Sequence, residues 1–318
     1  MSTNYPGLMD LDNTKRAAFV ACPRKYYWGY VRNLRRQYGS TAIRYGVAWH
    51  AMMEAMYGLM IANGGKWVDP LSELPAIVNA GKEAWERESE GLIYNDDYRS
   101  FANLQRAFLV YMDTFSNDPG MIKVVATESV FEIPMEAESE EEDRCYPGLK
   151  RFVFTGKLDM RIELNSAPWI TEHKTTGAYL GQAASRLQRS AQQMGYYWAS
   201  KRLGIDVEGL LISIHHISAR KSTKTNEWGE PKIEFQRVPQ LYSDFDLADW
   251  RRHFLDVGRR IQFEMQRNLW PMCHDSCYQY GSCQYTDLCE QDGRSLEDRN
   301  TSGYVEKVWD VRNECGSE

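Results

Sequence analysis

No apolar run in these 318 residues could span a bilayer, since the longest, around residues 52–62, is interrupted by Glu54. The first thirty residues lack the charged, apolar and small-residue layout of a secretion signal, so a cytoplasmic protein with no membrane partner is expected. There is no internal repeat and no low-complexity tract, which sets aside solenoid and fibrous architectures. Net positive charge is also missing. A formal charge of −6 argues against a protein that coats nucleic acid by bulk attraction, while leaving room for a locally basic groove. A disulfide scaffold is the last absence: seven cysteines are an odd number, and Cys22 stands far from Cys277, Cys283 and Cys289. Metal ligation in a reducing compartment fits that arrangement better.

What is present suits a folded enzyme. With 43% hydrophobic residues the chain can bury a sizeable core. One domain is expected over residues 1–290, followed by a polar tail or late docking segment over 291–318. Within it, residues 42–115 read as a helical part and residues 120–240 as a core of strands. Positive charge gathers early, at Lys15, Arg16, Arg24, Lys25, Arg32, Arg35, Arg36 and Arg44, interleaved with Tyr26, Tyr27, Trp28, Tyr30 and Tyr38. That mixture suits a groove that stacks bases, and equally a solvated basic face beside ordinary packing residues.

Met52, Met56, Leu59 and Met60 recur at helical spacing until Asn63-Gly64-Gly65, predicting a helix over residues 42–62 with His50 and Glu54 on one face. Residues 136–143 read as an acidic loop, and residues 151–164 and 169–174 as strands joined by a turn. A single helix is expected over residues 185–203, an apolar strand over 209–218, and a long amphipathic helix over 244–269.

The hairpin carries the chemistry. Side chains two apart in a strand share a face, so Glu172 and Lys174 point one way and His173 the other. A suitable register brings Asp159 beside Glu172. Two carboxylates and a lysine are a minimal solution to phosphodiester hydrolysis: the acids hold a divalent cation and the ammonium positions water. The backbone carbonyl of His173 is a further expected ligand. By itself a Glu-x-Lys unit is also an ordinary surface ion pair, but Gly156-Lys157-Leu158-Asp159 precedes it and Thr175-Thr176-Gly177 follows. His50 adds a softer nitrogen that admits manganese as well as magnesium. Gln193 and Tyr197, one turn apart, are placed to contact phosphate or the surroundings of the lysine. Thiolates suit zinc or an iron-sulfur cluster, and spacing does not choose between them.

In chain order, Gly46-Val47-Ala48-Trp49-His50, Gly156-Lys157-Leu158-Asp159, Glu172-His173-Lys174-Thr175 and Gln193-Met194-Gly195-Tyr196-Tyr197 resemble the motifs of the PD-(D/E)xK nuclease superfamily, in its RecB-like exonuclease branch. The resemblance implies an α/β fold, a restriction-endonuclease-like central mixed sheet flanked by helices. It assigns the cation to His50, Asp159 and Glu172, the water to Lys174, and DNA contact to Gln193 and Tyr197.

Ala21-Cys22-Pro23-Arg24-Lys25-Tyr26-Tyr27 and the closing segment from Cys277 through Cys283 to Cys289 resemble the iron-sulfur members, which include AddB-type nuclease domains and CRISPR-associated exonucleases, here in a phage-like version. In those proteins the four cysteines hold a [4Fe-4S] cluster that joins the N- and C-terminal segments. The gap after Cys277 is wider than the usual two residues, so Cys273 competes for that position. The implied activity is a metal-dependent DNA exonuclease acting 5′ to 3′ on single strands or ends, in recombination, repair or CRISPR-like processing. Implied partners are DNA, proteins of such assemblies, or further copies of the chain. The alternative is a non-catalytic DNA-binding or adaptor module with a structural iron-sulfur or zinc site.

Overall fold

The computed structural model describes residues 8–95, 97–145, 151–278, 282–291 and 295–313. The first elements are β1 (Asp10–Leu11), α1 (Asn13–Ala21), α2 (Pro23–Tyr26), a π-helical turn (Tyr27–Val31), β2 (Leu34–Arg36) and α3 (Thr41–Ala62). Next come α4 (Leu74–Ser89), α5 (Phe101–Thr114), β3 (Ile122–Met135), α6 (Glu140–Cys145), β4 (Phe152–Leu164) and β5 (Ala167–Thr176). The chain continues through α7 (Leu180–Gln188), α8 (Ala191–Arg202), β6 (Gly209–Ser218), β7 (Lys232–Gln240), α9 (Asp244–Arg267), α10 (Thr286–Cys289) and β8 (Tyr304–Glu306). They fall into two units, one built from Met1–Tyr38, Phe131–Gly156 and Ala248–Val311, the other from Gly39–Val130, Lys157–Leu247 and Arg312–Glu318. No helix among the described residues is long and apolar enough to cross a membrane.

The second unit holds a mixed sheet flanked by helices. β5 runs parallel to β6 and antiparallel to β4, while β6 and β7 are antiparallel, and β3 also pairs with β4. β6 is central and almost wholly buried, in keeping with its many Leu and Ile residues, and it buries Ser213, His215 and His216 along with them. α3 starts at Ser40, whose hydroxyl accepts from the Ile43 N–H at 3.4 Å, and stops where Gly64 and Gly65 take positive φ. Its buried face supplies Tyr45, Trp49, Met52, Met53, Met56 and Met60 to a core completed by α4, α5 and the sheet. The packing is close: a Cβ at Gly81 of α4 would lie 2.5 Å from Met52.

His215 on β6 is locked in this core, its ring 4.4 Å from that of Trp49 and 4.6 Å from that of Phe235. Burial pulls its pKa down to about 3, with His216 and His173 adding repulsion. The unfolded chain takes up this proton near pH 6.5 and the folded chain only near 3, so the contribution is intact above 6.5 and is lost as pH falls through that window. Each unit of depression corresponds to about 1.4 kcal/mol. Between pH 7 and pH 5 the protein should therefore lose more stability than His215→Gln, read from urea midpoints; equal losses would rule out a neutral buried imidazole.

The first unit packs Phe152 and Phe154 against Phe254 of α9, with Tyr26 stacked on Trp270 at 5.9 Å. The early aromatic residues are mainly packing: Tyr26, Tyr27 and Trp28 are buried, while Tyr38 is exposed. Several early cations are engaged as well, with Lys15 2.5 Å from Asp10 and Arg24 donating to the Trp270 carbonyl at 2.9 Å. The acidic run is not all loop. Residues 140–145 form α6 because Ser139 accepts from the Glu142 N–H at 3.1 Å and the glutamates sit at the favourable end of the helix dipole.

The stretch expected as a polar tail contains β8, which pairs with β2 (Leu34 opposite Glu306), and Trp309, whose indole donates to Asp12 at 2.9 Å. Residues 292–294 and 314–318 of that stretch lie outside the described residues, as do 279–281 between Cys277 and Cys283. In the second unit the single helix expected over residues 185–203 is two, because Ser190 starts α8 by accepting from the Gln193 N–H at 3.3 Å.

Candidate active site

Asp159 stands where β4 and β5 part. Their ladder turns through Asn165 and Ser166, with φ of 50° and 69°, the positive values a two-residue hairpin needs. It pairs residues as far as Met160 with Thr171. One step further the His173 N–H is taken by Asp159 Oδ2 at 2.8 Å, so a carboxylate replaces a backbone acceptor and is held in one orientation. His50 projects from α3 with Nδ1 3.4 Å from the same oxygen. Burial lowers the His50 pKa, partly offset by Asp159, which keeps the ring ready to act as a neutral ligand.

The third group at this point is Glu128 of β3. Ligand atoms of His50, Glu128 and Asp159 all lie within 4.8 Å of one another. Glu128 takes a φ of 46°, unusual for a residue with a side chain. Its Oε2 is 2.6 Å from Lys157 Nζ. Burial first and the Asp159 charge second push its pKa up to about 8, against the pull of Lys157. Sequence reasoning missed Glu128, because Thr127-Glu128-Ser129 carries no motif and only strand pairing brings it to the hairpin.

Glu172 and Lys174 share a face as expected, with Lys174 Nζ 2.5 Å from Glu172 Oε1. Only 1% of Glu172 is exposed, and burial followed by the Asp159 charge raises its pKa to about 8 despite Lys174. Its carboxylate lies outside the group of three, and among the described residues its Oε2 has no hydrogen-bond partner. The His173 ring lies on the opposite face, stacked near Tyr57 at 5.9 Å, and burial drops its pKa to about 3. Opposite faces of β5 are thus covered by different helices: α3 and α5 over His173, α8 over Glu172.

On α8 the amide that reaches the site is that of Gln192, 3.2 Å from Glu172 Oε1 and 3.0 Å from the Tyr196 hydroxyl. Gln193 is fully buried with neither amide atom hydrogen-bonded, and Tyr197 donates to the Glu208 carbonyl at 3.5 Å. The pair one residue earlier has the same spacing, and only the rotation of the helix distinguishes them. If the site cleaves phosphodiesters as the sequence motifs imply, Gln192→Ala should slow that reaction roughly tenfold, the lower end for a residue that orients a ligand. Gln193→Met should leave the rate unchanged and raise stability by about 1 kcal/mol, because it removes an unsatisfied amide. Comparing rates and urea midpoints of the two variants decides between them.

Two carboxylates and a histidine around one point, with Glu172 beside them and a lysine on each of Glu128 and Glu172, leave a buried excess of acid that a divalent cation can neutralise.

The first unit carries Cys22, Cys273, Cys277, Cys283 and Cys289. The Cys273 N–H donates to Cys22 Sγ at 3.3 Å, and the Cys283 N–H to the Cys277 carbonyl at 2.7 Å. Burial raises the Cys277 thiol, and Cys283, Cys22 and Cys273 raise it further; burial also raises Cys289, with Cys22 and Cys283 adding to it. Among the described residues no three sulfurs meet the 4.8 Å spacing of the His50 group.

No curated protein matches this sequence. Among solved structures, one described as "Crystal structure of SSO0001" is similar at 11% identity over 91% of this chain and 89% of that chain, with a TM-score of 0.37. A model of the PD-(D/E)XK nuclease superfamily matches residues 14–290, a span that takes in His50, Glu128, Asp159, Glu172 and Lys174. The chain belongs to the PD-(D/E)XK nuclease superfamily.

Proposed function

We propose that this member of the superfamily is a magnesium- or manganese-dependent DNA exonuclease of the RecB-like iron-sulfur branch, acting 5′ to 3′ on single strands or strand ends. Its setting would be recombination, repair or CRISPR-like processing. The observation that carries the reading is the convergence of His50, Glu128 and Asp159 beside the Glu172–Lys174 pair. A bound cation would polarise the phosphoryl oxygen and acidify its water. His50, Asp159 and Glu172 are assigned to hold it, with the carbonyl of His173 as a further ligand. Asp159 is oriented for this by the His173 N–H. Lys174 places its ammonium where it can donate to the attacking water and offset charge in the transition state. Gln192 steadies Glu172, and β5 buries the opposite side of the site with the His173 ring.

For the second centre, Cys22, Cys277, Cys283 and Cys289 are assigned to a [4Fe-4S] cluster. Their mutual influence and the N–H donated to Cys22 suit thiolates gathered around a shared centre. A tetrahedral zinc site with Zn–S of about 2.3 Å holds its sulfurs within about 4 Å of each other. In a [4Fe-4S] centre each iron instead takes its own cysteine. The cluster would tie residue 22 to the segment 273–289 and take no part in cleavage.

The test is a time course on end-labelled single- and double-stranded DNA with magnesium or manganese. Successive shortening from the 5′ end of single strands is expected. Cleavage only at internal sites, or none with either metal, would reject the reading.

A further inference from the structure

The motifs give Glu128 and Lys157 no role, although Lys157 stands in one of them, yet both lie inside the site. Lys157 lies two residues before Asp159 on β4, so in a regular strand both side chains emerge on the same face. Its ammonium is 2.6 Å from Glu128 Oε2, and only 8% of the lysine side chain and 13% of the glutamate side chain is exposed. Glu128 in turn belongs to the group whose ligand atoms lie within 4.8 Å of one another, together with His50 and Asp159. Glu172, the acid that the motif would put in that position, has its Oε1 2.5 Å from Lys174 and 3.2 Å from the Gln192 amide.

We infer that Glu128 joins His50 and Asp159 as a side-chain ligand of the catalytic cation, and that Lys157 competes with the cation for its carboxylate. This rests on the metal-dependent reading above and deepens it. The physical argument is one of charge. A buried carboxylate that carries its charge needs a partner, because leaving that charge unpaired costs several kcal/mol. A lysine on a four-carbon stem can meet that need without occupying the ligand position, and can swing away when a divalent ion arrives. Glu128 reaches the ion because its backbone turns through positive φ, which redirects the side chain relative to its neighbours on β3. The site then offers one nitrogen and two carboxylates before Glu172 is counted, a mixed set that manganese accepts readily.

Two consequences follow that a merely structural ion pair would not produce. Glu128→Gln should weaken manganese binding at least tenfold, whereas Lys157→Met should strengthen it several-fold, since the metal no longer competes with an ammonium. Binding is read without DNA, by titration calorimetry and by loss of the free-manganese electron paramagnetic resonance signal. Far-ultraviolet circular dichroism confirms that each variant is folded. Glu128→Asp, which keeps the charge, should recover part of the affinity.

If the unaltered protein binds manganese and Glu128→Gln binds it equally well, Glu128 is not a ligand and the inference is overturned. If Lys157→Met binds more weakly than the parent, the lysine supports the site and does not compete with the ion. If the unaltered protein binds no manganese, the metal-dependent reading itself fails, an outcome distinct from the other two.

Discussion

Replacing Lys174 by Ala is expected to lower the rate of DNA cleavage by about 10²–10⁴-fold, the contribution of a well-placed group that handles a proton in the transition state. Asp159→Asn should reduce it at least as much, because the amide keeps the shape but loses the charge that the proposed cation would need. Both variants should remain folded. In Lys174→Ala the buried Glu172 loses its ion pair, yet its pKa already stands at about 8, so it can stay protonated at neutral pH and avoid an isolated charge. In Asp159→Asn the side-chain oxygen can still accept from the His173 N–H, which limits the loss to about 1 kcal/mol. Rates on single-stranded DNA are measured beside urea midpoints. Parent-like cleavage by either folded variant would remove that residue from the site.

The largest effect on stability is expected at the cysteines. If the proposed cluster is present, Cys283→Ala should abolish bound iron and sulfide, bleach the visible absorption and sharply lower soluble yield. A link from Cys22 to the last cysteines closes most of the chain into one loop, and chain entropy for a loop longer than about 100 residues gives such a link about 5 kcal/mol. That is comparable to the whole stability of many domains. Cys273→Ala discriminates between the two possible ligand sets. With Cys277 as the ligand, iron content is unchanged; if Cys273 holds the iron, it falls as in Cys283→Ala. Stoichiometric zinc and no iron in the unaltered protein would replace the cluster with a single-ion site.

Much of this architecture was legible in local pattern. The helix over α3 was readable because methionines return every three or four residues and glycines with positive φ stop it. The hairpin was readable because a strand's period of two puts Glu172 and Lys174 on one face, and because Asn165-Ser166 can take the turn that β4 and β5 require. Where reading failed, the deciding force was local capping or long-range docking. Ser190 divides the expected single helix into α7 and α8, and Ser139 starts α6 within a run whose charges alone suggest a loop. For residues 291–318, read as a tail or a late docking segment, the choice rests on β8, which pairs with β2 through backbone hydrogen bonds that side-chain composition does not advertise.

The sequence by itself determined which chemistry the chain can carry: an aspartate and a Glu-x-Lys unit on adjoining strands, a histidine on a preceding helix, and thiols near both ends. These follow from residue type and from the fixed periods of strand and helix. Only the tertiary structure decided which neighbours join them. Glu128 reaches Asp159 because β3 pairs with β4, and Gln192 rather than Gln193 faces Glu172 because packing fixes the rotation of α8 against β6. Pairing and rotation are set by contacts between residues far apart in the chain, and no local period specifies them.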